Sequence, residues 1–361
     1  MVTSVSLFNY ELPEELIAQH SVEPRDHSRL MVVDRQMGAW EHKHFYDILD
    51  ELRAGDVLVM NNTKVFRARL EAIVESSSGR RAQRRSNHSI ELFLLRPRGG
   101  SWDVLVKPGR HVNVGDTLVL DGITGRVLAK SDVVSVAFDL SDQALIDYAN
   151  AHGQIPIPPY VHELPQTLEQ YQTVYAQETG SVAAPTAGFH FTTELLEKIR
   201  AKGVEIHYVT LHVGLGTFRP MKSETIEEHK MHSEYVTLDS RTTIAINQAR
   251  KEGRRIIAVG TTTVRTLEGV AHVMKKIDPG SKKSSFPLPV EGFSGDVNLF
   301  ITPGFDFRVV DALITNFNLP KSTLLVLVSA FAGREHILAV YQEAIRERYR
   351  FFSFGDAMFI R

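Results

Sequence analysis

Two histidines, His190 and His212, stand in stretches that fit neither a helical nor a strand period, and imidazole is the simplest side chain for moving a proton near neutral pH. The first closes Ser181-Val-Ala-Ala-Pro185-Thr186-Ala-Gly188-Phe-His190-Phe, part of a long run that is poor in charge and rich in small residues. The second opens His212-Val-Gly214-Leu-Gly216-Thr217-Phe-Arg219-Pro220, directly after a strand-like apolar run. A third stretch of this kind, Val259-Gly260-Thr261-Thr262-Thr263-Val-Arg265, also follows such a run. Compact domains spend residues this way where backbone must approach a ligand. The three loops therefore predict one shared site, with a satisfied structural histidine as the competing reading for His190 and His212.

Arg265 falls in the first turn of a predicted helix, where the helix end already favours an anion, so it is a candidate for a carboxylate or phosphate; a structural salt bridge explains it equally well. Asn316, within Thr315-Asn316-Phe-Asn318-Leu-Pro320, and Asp296, within Gly-Phe-Ser-Gly295-Asp296, add polar groups to apolar surroundings, as ligand positioning or as Asx turns. Several chemistries are excluded. Gly214-x-Gly216-x-x-Arg219 lacks the third glycine of the dinucleotide fingerprint, and Pro320-Lys-Ser-Thr323 lacks the upstream glycines of a P-loop, so Ser322 is read as a helix cap. His229 and His232, three apart without a partner acid or third histidine, do not make a metal site, and the absence of cysteine removes thiolate nucleophiles, Cys-ligated zinc and disulfides.

The elements that must hold these loops follow from patterning. From Phe66 to about Leu140 six short runs alternate with period two between Gly-rich turns, which describes a small barrel. On either side the texture is α/β. Helices are expected at Pro13–His20, Glu194–Lys202, Thr242–Glu252, Thr261–Lys275, Ser322–Ala332 and Arg334–Arg348, and strands at Arg29–Asp34, Asp56–Asn61, Val204–Val213, Arg255–Val259 and Asp306–Ile314. The expectation is a discontinuous α/β catalytic domain, residues 1–65 and 150–361, with an inserted all-β barrel at 66–149. In such sheets ligands sit beyond the carboxyl ends of the strands, where the glycine loops fall.

Apolar content of 43% and charged content of 23% are those of a globular protein, and 361 residues suggest about two domains. The net charge of −2 hides a segregation: residues 60–110 carry eleven Lys or Arg against four Asp or Glu, a balance of +7, leaving −9 for the remainder. That points to a basic face for a polyanion. Met1 to Glu15 lacks the pattern of a signal peptide, and the longest apolar run, Leu324 to Ala332, is about half a bilayer span, so a cytoplasmic address and no membrane partner are expected. The segments Ser76–Ser89 and Lys275–Pro289 read as loops.

Five motifs in order carry a resemblance along essentially the whole chain: Asn61-Asn-Thr-Lys64-Val-Phe-Arg67-Ala-Arg69-Leu, the run Ser181 to Phe191, His212 to Pro220, Val259 to Arg265, and Thr315-Asn-Phe-Asn-Leu-Pro-Lys-Ser-Thr-Leu. The sequence resembles the S-adenosylmethionine:tRNA ribosyltransferase-isomerases of queuosine biosynthesis, departing from them in the length and basicity of the loop Ser76–Ser89. The resemblance implies an enzyme that consumes S-adenosylmethionine as a ribosyl donor, needs no cofactor or metal, and acts on 7-aminomethyl-7-deazaguanine at the tRNA wobble position; a monomer is expected. Epoxyqueuosine-tRNA, adenine and methionine would be the products. On that reading His190 or His212 would remove the C5′ proton, and Glu178 or Asp296 would hold the aminomethyl cation or protonate adenine. Substrate would be bound by Pro185, Thr186, Gly188, Gly214, Gly216, Thr217, Arg219, Gly260, Thr261, Thr262, Arg265 and Asn316, and tRNA phosphate by Lys64, Arg67, Lys107 and Arg110. The alternatives are a tRNA-binding module without turnover and an S-adenosylmethionine-dependent tRNA methyltransferase.

Overall fold

Four apolar runs of four to seven residues, Val57–Asn61, Glu205–Leu211, Ile256–Val259 and Ala312–Asn316, lie side by side and parallel at the centre of a nine-stranded sheet. Their continuity follows from burial on both faces. Val57 and Val59 face a core shared with Val264, Leu267 and Val270 of helix Thr261–Ile277, whereas Leu58 and Met60 face Leu195, Leu196 and Ile199 of helix Thr193–Ala201. The computed structural model describes residues 3–76, 88–163, 165–213, 221, 223–229, 231, 233–277 and 287–361.

The full strand order is Phe293–Val297, Glu234–Leu238, Glu205–Leu211, Val57–Asn61, Ile256–Val259, Ala312–Asn316, Ala357–Ile360, Arg29–Asp34 and Ala39–His44. The outer members run antiparallel to their inner neighbours, except that Arg29–Asp34 is parallel to Ala357–Ile360. Helix Thr323–Ala332 is buried almost throughout, and among the described residues no single helix is long and apolar enough to cross a membrane. Ser322 caps it, accepting the Leu325 N–H at 3.1 Å.

The six period-two runs form a closed barrel of Val134–Phe138, Trp102–Lys107, His88–Pro97, Arg69–Glu75, Thr117–Val119 and Thr124–Lys130. Helix Asp142–His152 adds Leu145, Ile146 and Ala149 to its core. The protein is thus an α/β sheet into which the chain inserts a small barrel.

Two expected elements are corrected. The strand expected at Asp306–Ile314 starts only at Ala312 and runs to Asn316. Pro13–His20 holds a single 3-10 turn, Glu14–Leu16, in place of a helix. Ile17 is extended and bridges Phe351, and the Ala18 N–H donates to the Phe351 carbonyl at 3.1 Å, so tertiary pairing takes the backbone groups a helix would have used.

Candidate active site

The central strands end together on one edge of the sheet, and their last residues are pinned by side-chain amides. Asn61 is fully buried: Nδ2 donates to the Leu211 carbonyl at 3.0 Å and to Thr262 Oγ1 at 3.3 Å, while Oδ1 accepts from the Thr63 and Leu211 N–H groups at 3.1 Å each. It locks three chain segments at the edge where they diverge. Asn62 continues the clamp, accepting from Thr210 Oγ1 at 2.7 Å.

Gly260 turns the chain from strand into helix at φ +86°, a left-handed conformation that glycine enters without strain. The helix that follows runs seventeen residues from Thr261, so its unpaired first-turn N–H groups and positive dipole end face the cleft beside Thr261 and Thr262. Ala184 to Ala187, Val213, Thr315, Asn316, Asn318 and Leu324 line the rest of this open cleft, whose space, counting the solvent at its mouth, is about 400 Å³. Among the described residues lining this cleft none carries a charge. The arrangement suits an anionic group held by backbone dipoles.

His212 stands in the chain between Leu211 and Val213; Val213 lines the cleft, and the imidazole itself is not among the lining groups. Its Nδ1 is 2.8 Å from Thr63 Oγ1. The ring lies against the bare Cα of Gly180, where a Cβ would come within 2.8 Å of Cε1. Burial pushes its pKa below the ordinary value, favouring the neutral ring that can accept a proton.

His190 is placed differently. It is 4% exposed, stacked on Phe45 at 4.9 Å, with Nδ1 2.7 Å from Ser28 Oγ. Nε2 faces the Asn316 side chain, near enough for the amide to favour the protonated ring, yet neither Nε2 nor Asn316 Oδ1 attains hydrogen-bonding geometry. Burial outweighs the amide and brings the pKa from 6.5 down to about 4. Asn316 lines the cleft, so His190 stands behind the wall.

The cleft gathers Pro185, Thr186, Gly260, Thr261, Thr262 and Asn316, with His212 beside them. The other predicted residues are elsewhere. Gly188 is not among the residues lining the cleft; a Cβ there would lie 1.9 Å from the Tyr175 hydroxyl, so packing against that ring requires the glycine. Arg265 is buried in an ion pair with Glu234 on the neighbouring strand. Glu178 is exposed at the start of the short strand Glu178–Ser181, which pairs with Thr63–Val65. Asp296 is half-exposed and 3.2 Å from Arg96 of the barrel. Sheet register nonetheless puts Asp296 on the same edge of the sheet, because Leu211 pairs with Val236 and Val236 with Gly295, leaving His212, Tyr235 and Asp296 one residue further on. Gly214, Gly216, Thr217, Arg219 and His232 lie outside the described residues, as do most of Ser76–Ser89 and part of Lys275–Pro289.

On the barrel side Lys64, Lys107 and Arg110 are exposed, and Arg67 is half-buried with Nη1 donating to the Gly153 carbonyl at 3.4 Å. Sequence reasoning did not single out Asn61, Thr63, Gly180, Ser28 or Asn318. The run Asn61-Asn-Thr63 at a strand end was the available signal, since three small polar residues terminating an apolar strand need partners.

A neutral cleft on the carboxyl edge of a parallel sheet, with a helix end beside it and a β-barrel inserted in the same chain, defines an α/β small-ligand site. Comparison with known proteins makes this particular. The family model described as queuosine biosynthesis protein matches residues 5–360, and the chain belongs to that family. The chain is also similar to the S-adenosylmethionine tRNA ribosyltransferase of Thermotoga maritima, whose crystal structure is 38% identical, spans 99% of this chain and 100% of that one, and superposes with a TM-score of 0.54.

Proposed function

We propose that this protein transfers and isomerises the ribosyl moiety of S-adenosylmethionine onto 7-aminomethyl-7-deazaguanine at the wobble position of tRNA, giving epoxyqueuosine-tRNA with release of adenine and methionine. The observation that carries the reading is the uncharged cleft beneath the Gly260–Thr262 helix end with His212 beside it, in a chain that belongs to the queuosine family. The helix N-terminus and the Thr261 and Thr262 hydroxyls would bind the methionine carboxylate.

His212 acts as the base. The sulfonium makes the adjacent C5′–H acidic, the imidazole takes that proton, adenine leaves as the ribose ring opens to an epoxide, and the aminomethyl nitrogen then displaces methionine. Thr63 fixes the ring through Nδ1 and leaves Nε2 for the substrate. His190, with a pKa near 4 and no exposure to the cleft, is a positioning residue for Asn316. Lys64, Lys107 and Arg110, with Arg67 behind them, contact tRNA phosphate. The enzyme works in the cytoplasm as a monomer, and S-adenosylmethionine is consumed as a substrate.

The test is incubation of the purified protein with S-adenosylmethionine and tRNA bearing 7-aminomethyl-7-deazaguanine, with mass analysis of nucleosides and small products. Epoxyqueuosine with stoichiometric adenine and methionine is expected. A methylated nucleoside with S-adenosylhomocysteine, or tRNA binding with S-adenosylmethionine intact, would overturn the proposal.

A further inference from the structure

Beside the cleft lies a second open recess of about 350 Å³, counting the solvent at its mouth, and Thr186, Asn316, Asn318 and Leu324 line both. To that shared lining the first adds helix-end N–H groups and threonine hydroxyls, whereas the second adds Tyr160, Phe317 and Phe352 beside Leu319, Ser322 and Ser353. The first suits a carboxylate and the second a flat apolar face.

Phe352 supplies a separate argument. It adopts φ +72°, a left-handed conformation that strains a bulky L-residue. Three hydrogen bonds impose it: the Phe352 N–H donates to the Phe317 carbonyl at 3.0 Å, and the Phe352 carbonyl accepts from Asn316 Nδ2 at 2.8 Å and from the Gly355 N–H at 3.0 Å. A glycine would take this turn without strain, so the position holds a phenyl ring against local preference, and that ring lines the recess. Tyr160 is fixed beside it, the ring centroids 4.9 Å apart at 51°, with the Tyr160 hydroxyl 2.6 Å from Ser353 Oγ. Two immobilised rings set at an angle form a platform whose rotamer entropy is already spent before a ligand arrives.

We infer that this recess seats the adenine of S-adenosylmethionine, stacked on the Tyr160 and Phe352 wall, while the amino-acid end occupies the cleft under Thr261 and Thr262. The inference rests on the proposed function for the identity of the substrate. Asn316 holds Phe352 from the partition between the two recesses, so it couples the seat of the base to the seat of the carboxylate.

The experiment is titration calorimetry of the full-length protein and its Phe352→Leu, Phe352→Gly and Tyr160→Leu variants with two probes, S-adenosylmethionine and free methionine. Loss of base stacking should weaken S-adenosylmethionine about tenfold in Phe352→Leu and Tyr160→Leu, within the range of measured stacking losses, with methionine affinity unchanged. Phe352→Gly should weaken S-adenosylmethionine as much and lower the melting temperature, because losing a core phenyl ring outweighs the strain relieved at the turn. Undiminished S-adenosylmethionine affinity in variants that melt cooperatively, or equal weakening of both probes, would overturn the assignment. Wild type that binds S-adenosylmethionine but transfers its methyl group would overturn the proposed function and leave the adenine seat standing.

Discussion

The barrel and the cleft both face ionic ligands in the proposed reaction, and they are built in opposite ways. The barrel carries its positive charge outside, and part of it is spent internally: Arg96 and Arg98 converge on Asp103 at 3.2 and 2.9 Å, and Arg96 also reaches Asp296. Lys107 and Arg110 remain exposed. The cleft has no charged side chain among its described lining residues and relies on a helix end, hydroxyls and amides fixed by neighbours. The difference is one of dielectric. In water a phosphate chain is gripped by screened charges that tolerate imprecise geometry, whereas in a dry cleft oriented dipoles interact strongly and avoid the cost of burying a full charge.

The sharpest way to break this contrast is His212→Ala. If the cleft does the chemistry and the barrel the gripping, kcat should fall by about 10²–10⁴ while tRNA affinity stays within twofold. The pH profile sharpens it. Burial lowers the His212 pKa, so the basic form should persist to more acidic pH than for a free histidine, and kcat should decline only below about 6.5. A matched loss of kcat and tRNA affinity would end the division of labour.

His190→Gln probes whether the second histidine is held neutral by the fold. With a folded value of about 4 against 6.5, the unfolded chain takes up the proton first as pH falls. Stability is therefore retained above about 6.5 and lost towards pH 4, by roughly 2–3 kcal/mol. Urea denaturation at pH 7 and pH 4.5 should show a smaller difference for the variant, and an equal one would mean the ring is already charged.

Gly188→Ala should destabilise by about 1–3 kcal/mol through collision with the Tyr175 hydroxyl, and Tyr175→Phe should restore part of the loss. Melting temperature reports both. Absence of rescue would return Gly188 to the ligand. The smallest effect belongs to the barrel: neutralising Lys107 and Arg110 together should reduce the slope of log K against log salt for tRNA by about 1–2, with kcat at saturating tRNA unchanged. A fall in kcat at saturation would show the barrel entering the chemistry.

The barrel was legible almost strand by strand, because short β-rich runs are separated by Gly-rich turns and some, such as Arg69–Glu75, alternate buried and outward residues, whereas Trp102–Lys107 opens with three buried residues in a row. The edge strand Ala39–His44, reading Ala-Trp-Glu-His-Lys-His, gave no such signal, since it is largely exposed and carries no core alternation. Phe293–Val297, containing Gly295 and Asp296, is assigned no element from sequence and forms a strand through pairing with Glu234–Leu238. The three-loop site was legible in part. Pro185, Thr186, Gly260, Thr261 and Thr262 line one cleft, whereas Gly214 to Pro220 lie outside the described residues, and glycine spacing alone cannot tell a ligand from the Tyr175 side chain that crowds Gly188.

Period, punctuation and composition determined by themselves that this chain would make an inserted barrel and an α/β sheet, that glycine turns would follow the central strands, and that basic charge would gather in residues 60–110, because these depend on neighbours in sequence. Only the tertiary structure decided which of two histidines is buried behind the cleft and which stands beside it, that Arg265 is matched with Glu234, and that Phe352 is bent into an aromatic wall. Those outcomes turn on desolvation and on partners distant in the chain, such as Ser28 for His190 and Thr63 for His212, and no local pattern encodes them.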